Sequence, residues 1–205
     1  MGTVISLDVH RQARRSRAAV ARHTPPRATL FFDLASPFTY LAAERADRLF
    51  ARLEWLPASP ETLQVEDLTD EGMRAVCERA ALLGLPFVWP ERRPRDVRRA
   101  MRVASLAAER GCGAGFVLAA SRLAFCGGFD ISDPEILAEA AAAAGIGLRE
   151  TLAAVGDVGR DGPIEDAGRL LLAAGATRLP ALRVGRILFC GEDRLLEAAA
   201  ARAAV

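Results

Sequence analysis

Hydrophobic positions along the chain switch between strand-like runs and helical spacing, and the switches define its elements. Ala28-Thr29-Leu30-Phe31-Phe32-Asp33-Leu34 is a short apolar run closed by a turn, the pattern of a buried central strand. Ser36-Pro37 then supplies an N-cap and an N1 proline. Tyr40, Leu41, Ala43, Ala46, Leu49, Phe50 and Leu53 follow at helical spacing, so a helix is expected from about residue 37 to about 52. Leu53-Glu54-Trp55-Leu56 ahead of Pro57 predicts a second strand and completes a β-α-β unit, whose parallel strands need such a crossover.

From about 68 to 158 the pattern is helical throughout. Breaks at Gly84-Leu85-Pro86, Trp89-Pro90, Gly111, Gly127-Gly128 and Gly145-Ile146-Gly147 divide it into four or five expected helices with no strand. Asp133-Pro134-Glu135 supplies the cap, the N1 proline and the early acid of one of them. The last third predicts a helix from about 163 to 174, strands at Leu179–Val184 and Ile187–Cys190 around Gly185, and a final helix from Glu192 to Ala203. The order β-α-β, helices, α-β-β-α is that of an α/β thioredoxin fold with an all-α helical insertion at its middle crossover. The domain then runs over residues 28–205, with the insertion at about 68–158. Residues 1–27 hold six arginines, almost no acids and Pro25-Pro26, and are expected to form a flexible basic extension.

Composition narrows the chemistry. At 205 residues and 51% hydrophobic content the chain can build one sizeable core. A formal charge of +1, with basic and acidic residues intermixed, lacks the basic stripe of a nucleic-acid binder, so a small-molecule partner is expected. No apolar run reaches the roughly 18 to 20 residues of a membrane helix, and residues 1–27 lack the apolar segment of a signal peptide. Cys77, Cys112, Cys126 and Cys190 are widely spaced with no C-x-x-C, and read as free thiols of a cytoplasmic protein. The chain has no Lys, which removes P-loop and Schiff-base chemistry. Its only histidines, His10 and His23, precede the domain, so neither a Ser-His-Asp triad nor a His-ligated metal is expected inside it. Hydroxyls, carboxylates, arginines, thiols or a borrowed cofactor remain.

Three motifs carry a resemblance. Phe32-Asp33-Leu34-Ala35-Ser36-Pro37-Phe38-Thr39-Tyr40, Leu179-Pro180 before a strand, and Gly191-Glu192-Asp193-Arg194-Leu195 are similar, in order and separation, to the fixed points of the DsbA-like superfamily. The branch they most resemble is that of 2-hydroxychromene-2-carboxylate isomerases and kappa-class glutathione transferases. The resemblance implies a glutathione-dependent isomerase or transferase acting on a small aromatic or α-keto electrophile, with glutathione or another low-molecular-weight thiol as cofactor and room for a homodimer. The alternative is a relative of DsbA-type thiol-disulfide oxidoreductases that has lost its C-x-x-C and serves as a non-redox binding protein.

By the same resemblance Ser36 is the catalytic hydroxyl. It stands where redox relatives place a nucleophilic Cys at a helix N-terminus, and it would donate to the sulfur of a bound glutathione. Thr39 stands where the second Cys would be. Leu179, before a cis Pro180, would pair through its backbone with the cysteinyl part of the ligand, while Glu192 and Asp193 would hold its γ-glutamyl end. Phe38, Thr39 and Trp89 are candidates for the substrate pocket, with Phe87 and Phe116 weaker ones. Each motif also has a plain structural reading. Ser-Pro starts any helix well, proline is tolerated at a strand start, and acids in a first turn stabilise any helix by about 0.3 to 1 kcal/mol.

The chain departs from the family in places. Glu71 to Leu83 lacks the Tyr, Asp and Lys that isomerase relatives carry before the Gly-Leu-Pro break, and Asp96 replaces an Asn. Arg178 stands where a small residue is usual and would either contact an anionic ligand or obstruct it. Cys190 replaces an aromatic and reads as a small buried hydrophobe.

Overall fold

A computed structural model describes residues 27–63, 68–90 and 96–203. Apart from Arg27, the basic extension expected over residues 1–27 lies outside them.

Strand β1 (Ala28–Phe32) is buried along its whole length, as its apolar run requires, because it is an inner strand of a sheet ordered β2-β1-β3-β4. Helix α1 (Pro37–Leu49) crosses from β1 to β2 (Leu53–Pro57), which runs parallel to β1. Strand β3 (Ala181–Val184) pairs antiparallel with β1, and β4 (Ile187–Cys190) antiparallel with β3. This is the thioredoxin-type sheet that the element order predicts. Between residues 68 and 158 the described residues hold α2 (Asp70–Leu82), α3 (Arg98–Glu109), α4 (Gly113–Phe125), α5 (Pro134–Ala143) and α6 (Leu148–Gly156), and no strand. Helices α7 (Asp161–Ala173) and α8 (Leu195–Ala203) complete the fold. No helix among the described residues is long and apolar enough to cross a membrane.

Several boundaries differ from expectation for local reasons. Helix α1 stops at Leu49 rather than near 52, because Phe50 turns extended (φ −129°, ψ 108°) and its N–H closes the helix on Ala46 O. Strand β2 takes in Pro57, which was expected to follow it; on an edge strand the missing N–H costs no ladder bond. Helix α7 starts at Asp161, ahead of 163, and Pro163 sits in its first turn, where an N–H would lack a helical partner. Strand β3 starts at Ala181 rather than Leu179. The last helix is not continuous from Glu192, since a 3-10 turn over Glu192–Arg194 precedes α8.

The period-two alternation of β1 divides the core. Leu30 and Phe32 pack with Trp55 and residues of α1, α3, α4 and α8, whereas Phe31 packs on the opposite face with Leu63, Leu171, Leu179 and Ala181. Full burial of a Phe or Leu side chain contributes about 1.5 to 3 kcal/mol, so this strand anchors both layers. A third cluster joins Tyr40, Leu41, Ala80 and Phe125, with Phe38 and Phe87 against it. The chain leaves β1 at the seam between the layers, where Asp33–Ser36 leads into α1.

Candidate active site

That seam opens into a cavity of about 1530 Å³. Asp33, Ser36 and Phe38 line it from the β1–α1 junction, Trp89 from the segment after α2, and Arg178 and Leu179 from the loop before β3. The wall formed by α7 is set by a close approach. A Cβ on Gly168 would stand 2.8 Å from Ser59 O and 2.9 Å from Thr62 Cβ, so only glycine lets α7 seat against the turn after β2.

Ser36 is the N-cap of α1 by backbone conformation (φ −86°, ψ 120°), but its side chain makes no capping hydrogen bond. Thr39 N–H donates instead to Ser36 O at 3.0 Å. Pro37 has no N–H, which leaves the Ser36 hydroxyl and Phe38 N–H as donors at the positive end of this helix, both on residues that line the cavity.

Leu179 stands across the cavity. The Leu179–Pro180 peptide is cis, as the resemblance implied, and Pro180 O accepts from Gly191 N–H at 2.8 Å, tying the loop to the end of β4. Leu179 is 5% exposed, yet its own N–H and C=O make no hydrogen bond among the described residues. Buried backbone groups are nearly always paired, so this residue offers an unfilled donor and acceptor to whatever enters the cavity.

The remaining expected residues are placed differently. Thr39 is fully buried and does not line the cavity, and its Oγ1 has no partner among the described residues. Glu192 is 4% exposed and clamped by two arginines, at 2.7 Å from Arg45 Nη1 and 2.6 Å from Arg79 Nε, so its carboxylate is committed inside the protein. Asp193 is half exposed, and Arg178 Nη2 donates to its Oδ1 at 2.8 Å. Gly191 makes that pair feasible. At φ +101° it adopts a conformation other residues avoid, and a Cβ there would fall 2.5 Å from Arg178 Nη2. Arg178 thus reaches both the cavity and the carboxylate expected to hold a ligand ammonium.

Trp89 donates from Nε1 to Cys77 Sγ at 3.3 Å and stacks edge-on against Phe87 with centroids 4.9 Å apart. Phe116 is buried in the main core. Tyr40 donates its hydroxyl to Pro86 O at 2.7 Å, with Cys126 Sγ 3.0 Å away. Burial pushes the Tyr40 hydroxyl above its usual range, and the contact with Cys126 adds to this, so it stays protonated.

Asp33 was not singled out by the sequence reading. It is 4% exposed, lines the cavity, and accepts at Oδ1 from Ala35 N–H at 3.1 Å. Burial pushes its carboxyl up to about 6, against the lowering effect of the Ala35 hydrogen bond and with a smaller push from the charge of Glu61. The signal available in the sequence was an acid closing a mostly apolar strand.

Several solved structures share this fold. A 2-hydroxychromene-2-carboxylate isomerase superposes with a TM-score of 0.70 at 18% identity, over 86% of this chain and 95% of that one. A probable DsbA oxidoreductase from Streptomyces coelicolor gives 0.70 at 20% identity, over 87% and 89%. The cytosolic disulfide reductase DsbM from Pseudomonas aeruginosa, in its structure with glutathione, gives 0.63 at 20% identity, over 86% and 95%. No curated protein matches the chain by sequence. The family model for the DSBA-like thioredoxin domain matches residues 28–200, and the chain therefore belongs to the DsbA-like thioredoxin family.

Proposed function

We propose that the protein is a thiol-dependent isomerase or transferase, with glutathione as the first candidate thiol and a small aromatic or α-keto electrophile as substrate. The observation that carries this reading is the pairing, on one cavity, of a helix-N-terminal hydroxyl that caps nothing with the unpaired backbone of Leu179. A cysteinyl peptide would satisfy both at once, its backbone on Leu179 and its sulfur at Ser36. When bound, such a thiol supplies a nucleophile that the chain itself lacks at positions 36 and 39.

The work left to the protein is to favour the thiolate. A thiol of pKa about 8.5 is only about 3% ionised at pH 7; a two-unit shift makes it about 75% ionised, for roughly 2.7 kcal/mol. The positive end of α1 and the Ser36 hydroxyl supply attraction of that order. Phe38 and Trp89 offer an apolar wall for the electrophile. The same reading puts the protein in the cytoplasm, where its four free cysteines stay reduced.

A second reading, a non-redox binding protein, is favoured by the commitment of Glu192 and Asp193 to arginines, since these were to hold the glutamyl end. One experiment separates the two. Calorimetry with glutathione, beside the ultraviolet thiolate absorbance of the bound thiol against pH, should show binding with a depressed thiol pKa. In Ser36→Ala that pKa should rise while affinity holds, because only the hydrogen bond to the ionised sulfur is lost. Binding with an unshifted thiol pKa would favour the second reading.

A further inference from the structure

We propose that Asp33 is the proton carrier of this site, taking the proton that a thiol bound at Ser36 gives up and returning it when the thiol is released. The inference rests on the thiol-dependent reading above and adds a residue to it. In the step, the ligand S–H bond breaks, its electron pair stays on sulfur, and a new O–H bond forms on the Asp33 carboxylate. No other reactant is needed.

Three features of the molecule point to Asp33. It lies on the cavity, and its backbone holds the Ser36 loop, with Ser36 N–H donating to Asp33 O at 3.2 Å. Only Oδ1 is occupied, by Ala35 N–H; Oδ2 has no hydrogen-bond partner among the described residues and is free to bind a proton. Among the described residues no arginine pairs with it, whereas the buried carboxylate of Glu192 has two. A buried, unpaired carboxylate is costly, and a fold built only for stability would place an amide or an apolar residue here.

Several of the charged groups around Asp33 are held in ion pairs of their own. Glu61, on the turn after β2, adds negative charge and is itself paired with Arg98 of α3 at 3.5 Å. Asp161 of α7 is held by Arg102 at 2.6 Å, and Arg178 by Asp193. Among the described residues, Asp96, Arg99, Asp130 and Glu165 also line the cavity. With its carboxyl near 6, Asp33 is mostly ionised at neutral pH and still basic enough to accept a proton from a thiol whose own pKa has been lowered to a similar value. Thiolate and carboxylate then share one proton, because two negative charges in one cavity oppose each other.

The test uses the full chain and glutathione. Carbon-13 NMR of the Asp33 carboxyl, assigned by comparison with Asp33→Asn, should show it titrating near pH 6 without ligand and at higher pH once the bound thiol is ionised. In Asp33→Asn the ultraviolet titration of bound glutathione should move down by about one pH unit, a tenfold change in the thiolate ratio, because the competing negative charge is gone. Proton uptake and release on binding, read from calorimetry in buffers of different ionisation enthalpy, should change with it. If glutathione binds and its thiol titrates identically in both proteins, the proposal is overturned while the thiol reading stands. If glutathione does not bind, the thiol reading fails and takes the proposal with it, and the ligand-free NMR titration distinguishes that case. An ordinary carboxylate titration near pH 4 in the wild-type protein overturns the proposal without reference to any variant.

Discussion

At the scale of single residues, the buried carboxyl of Asp33 has a consequence for stability. Its pKa is raised from 3.8 to about 6 by burial, so between these values the folded chain holds a proton that the unfolded chain has lost. The contribution of Asp33 to stability is therefore greatest below about pH 4, falls as pH rises through about 6, and stays lower above it, by up to about 3 kcal/mol for a shift of this size. Asp33→Asn keeps an oxygen for Ala35 N–H and removes the charge. Its melting temperature should exceed that of the wild type at pH 7 and lose most of this pH dependence, and thermal unfolding from pH 4 to 8 checks both. Arg178 offers a second residue-scale outcome. Its pair with Asp193 is half exposed and contributes about 1 kcal/mol or less, yet a ligand ammonium would have to displace it. Arg178→Ala should bind glutathione about two- to fivefold tighter by calorimetry; weaker binding would mean that the guanidinium itself contacts the ligand. Asp193 was identifiable as a candidate from its place in a helix-start motif, whereas its pairing with Arg178 was not, because nothing local couples residues on either side of a hairpin.

At the scale of elements, Glu192 joins three of them. Its carboxylate receives Arg45 from α1 and Arg79 from α2, and so holds the 3-10 turn before α8 against both helices. The Arg45 and Arg79 side chains are 17% and 34% exposed, so part of each charge stays hydrated. Glu192→Gln should cost about 3 kcal/mol, the lower end of the range for breaking a buried pair, and should loosen α2 more than the sheet. Denaturant unfolding measures the first effect. Hydrogen exchange in Asp70–Leu82 measures the second, and uniform protection across α2 and β1 would show that the triad is not what docks this helix. The sequence made the elements themselves legible, since apolar period and Ser-Pro or Asp-Pro starts are local properties. It misjudged their ends, at Phe50, Pro57, Asp161 and Glu192, where one residue's conformation or an edge position decides.

At the scale of the whole molecule, a DsbA-like thioredoxin fold has been kept without its pair of redox cysteines. The four cysteines are free in the structure, spread from α2 to β4, and none replaces Ser36 or Thr39. The protein should therefore not turn over insulin reduction or dithiol oxidation, and turnover abolished by alkylating these thiols would refute this. Seen at this scale, the sequence by itself determined the order of strands and helices, the confinement of strands to the two ends of the domain, the Ser-Pro start of α1 and the loss of the C-x-x-C. All of these are written in neighbouring residues, where backbone preference and apolar spacing act. Only the tertiary structure decided which polar groups are left without partners. Glu192 is neutralised from 147 and 113 positions away, and Asp193 is engaged by Arg178 across the β3–β4 hairpin. Thr39 turns into the interior, while on a shared cavity one carboxyl oxygen of Asp33 and the backbone of Leu179 have no partner among the described residues. The physical reason is that burial and pairing are set by packing between segments distant in the chain, and the free energy of a polar group depends on that packing far more than on its neighbours in sequence.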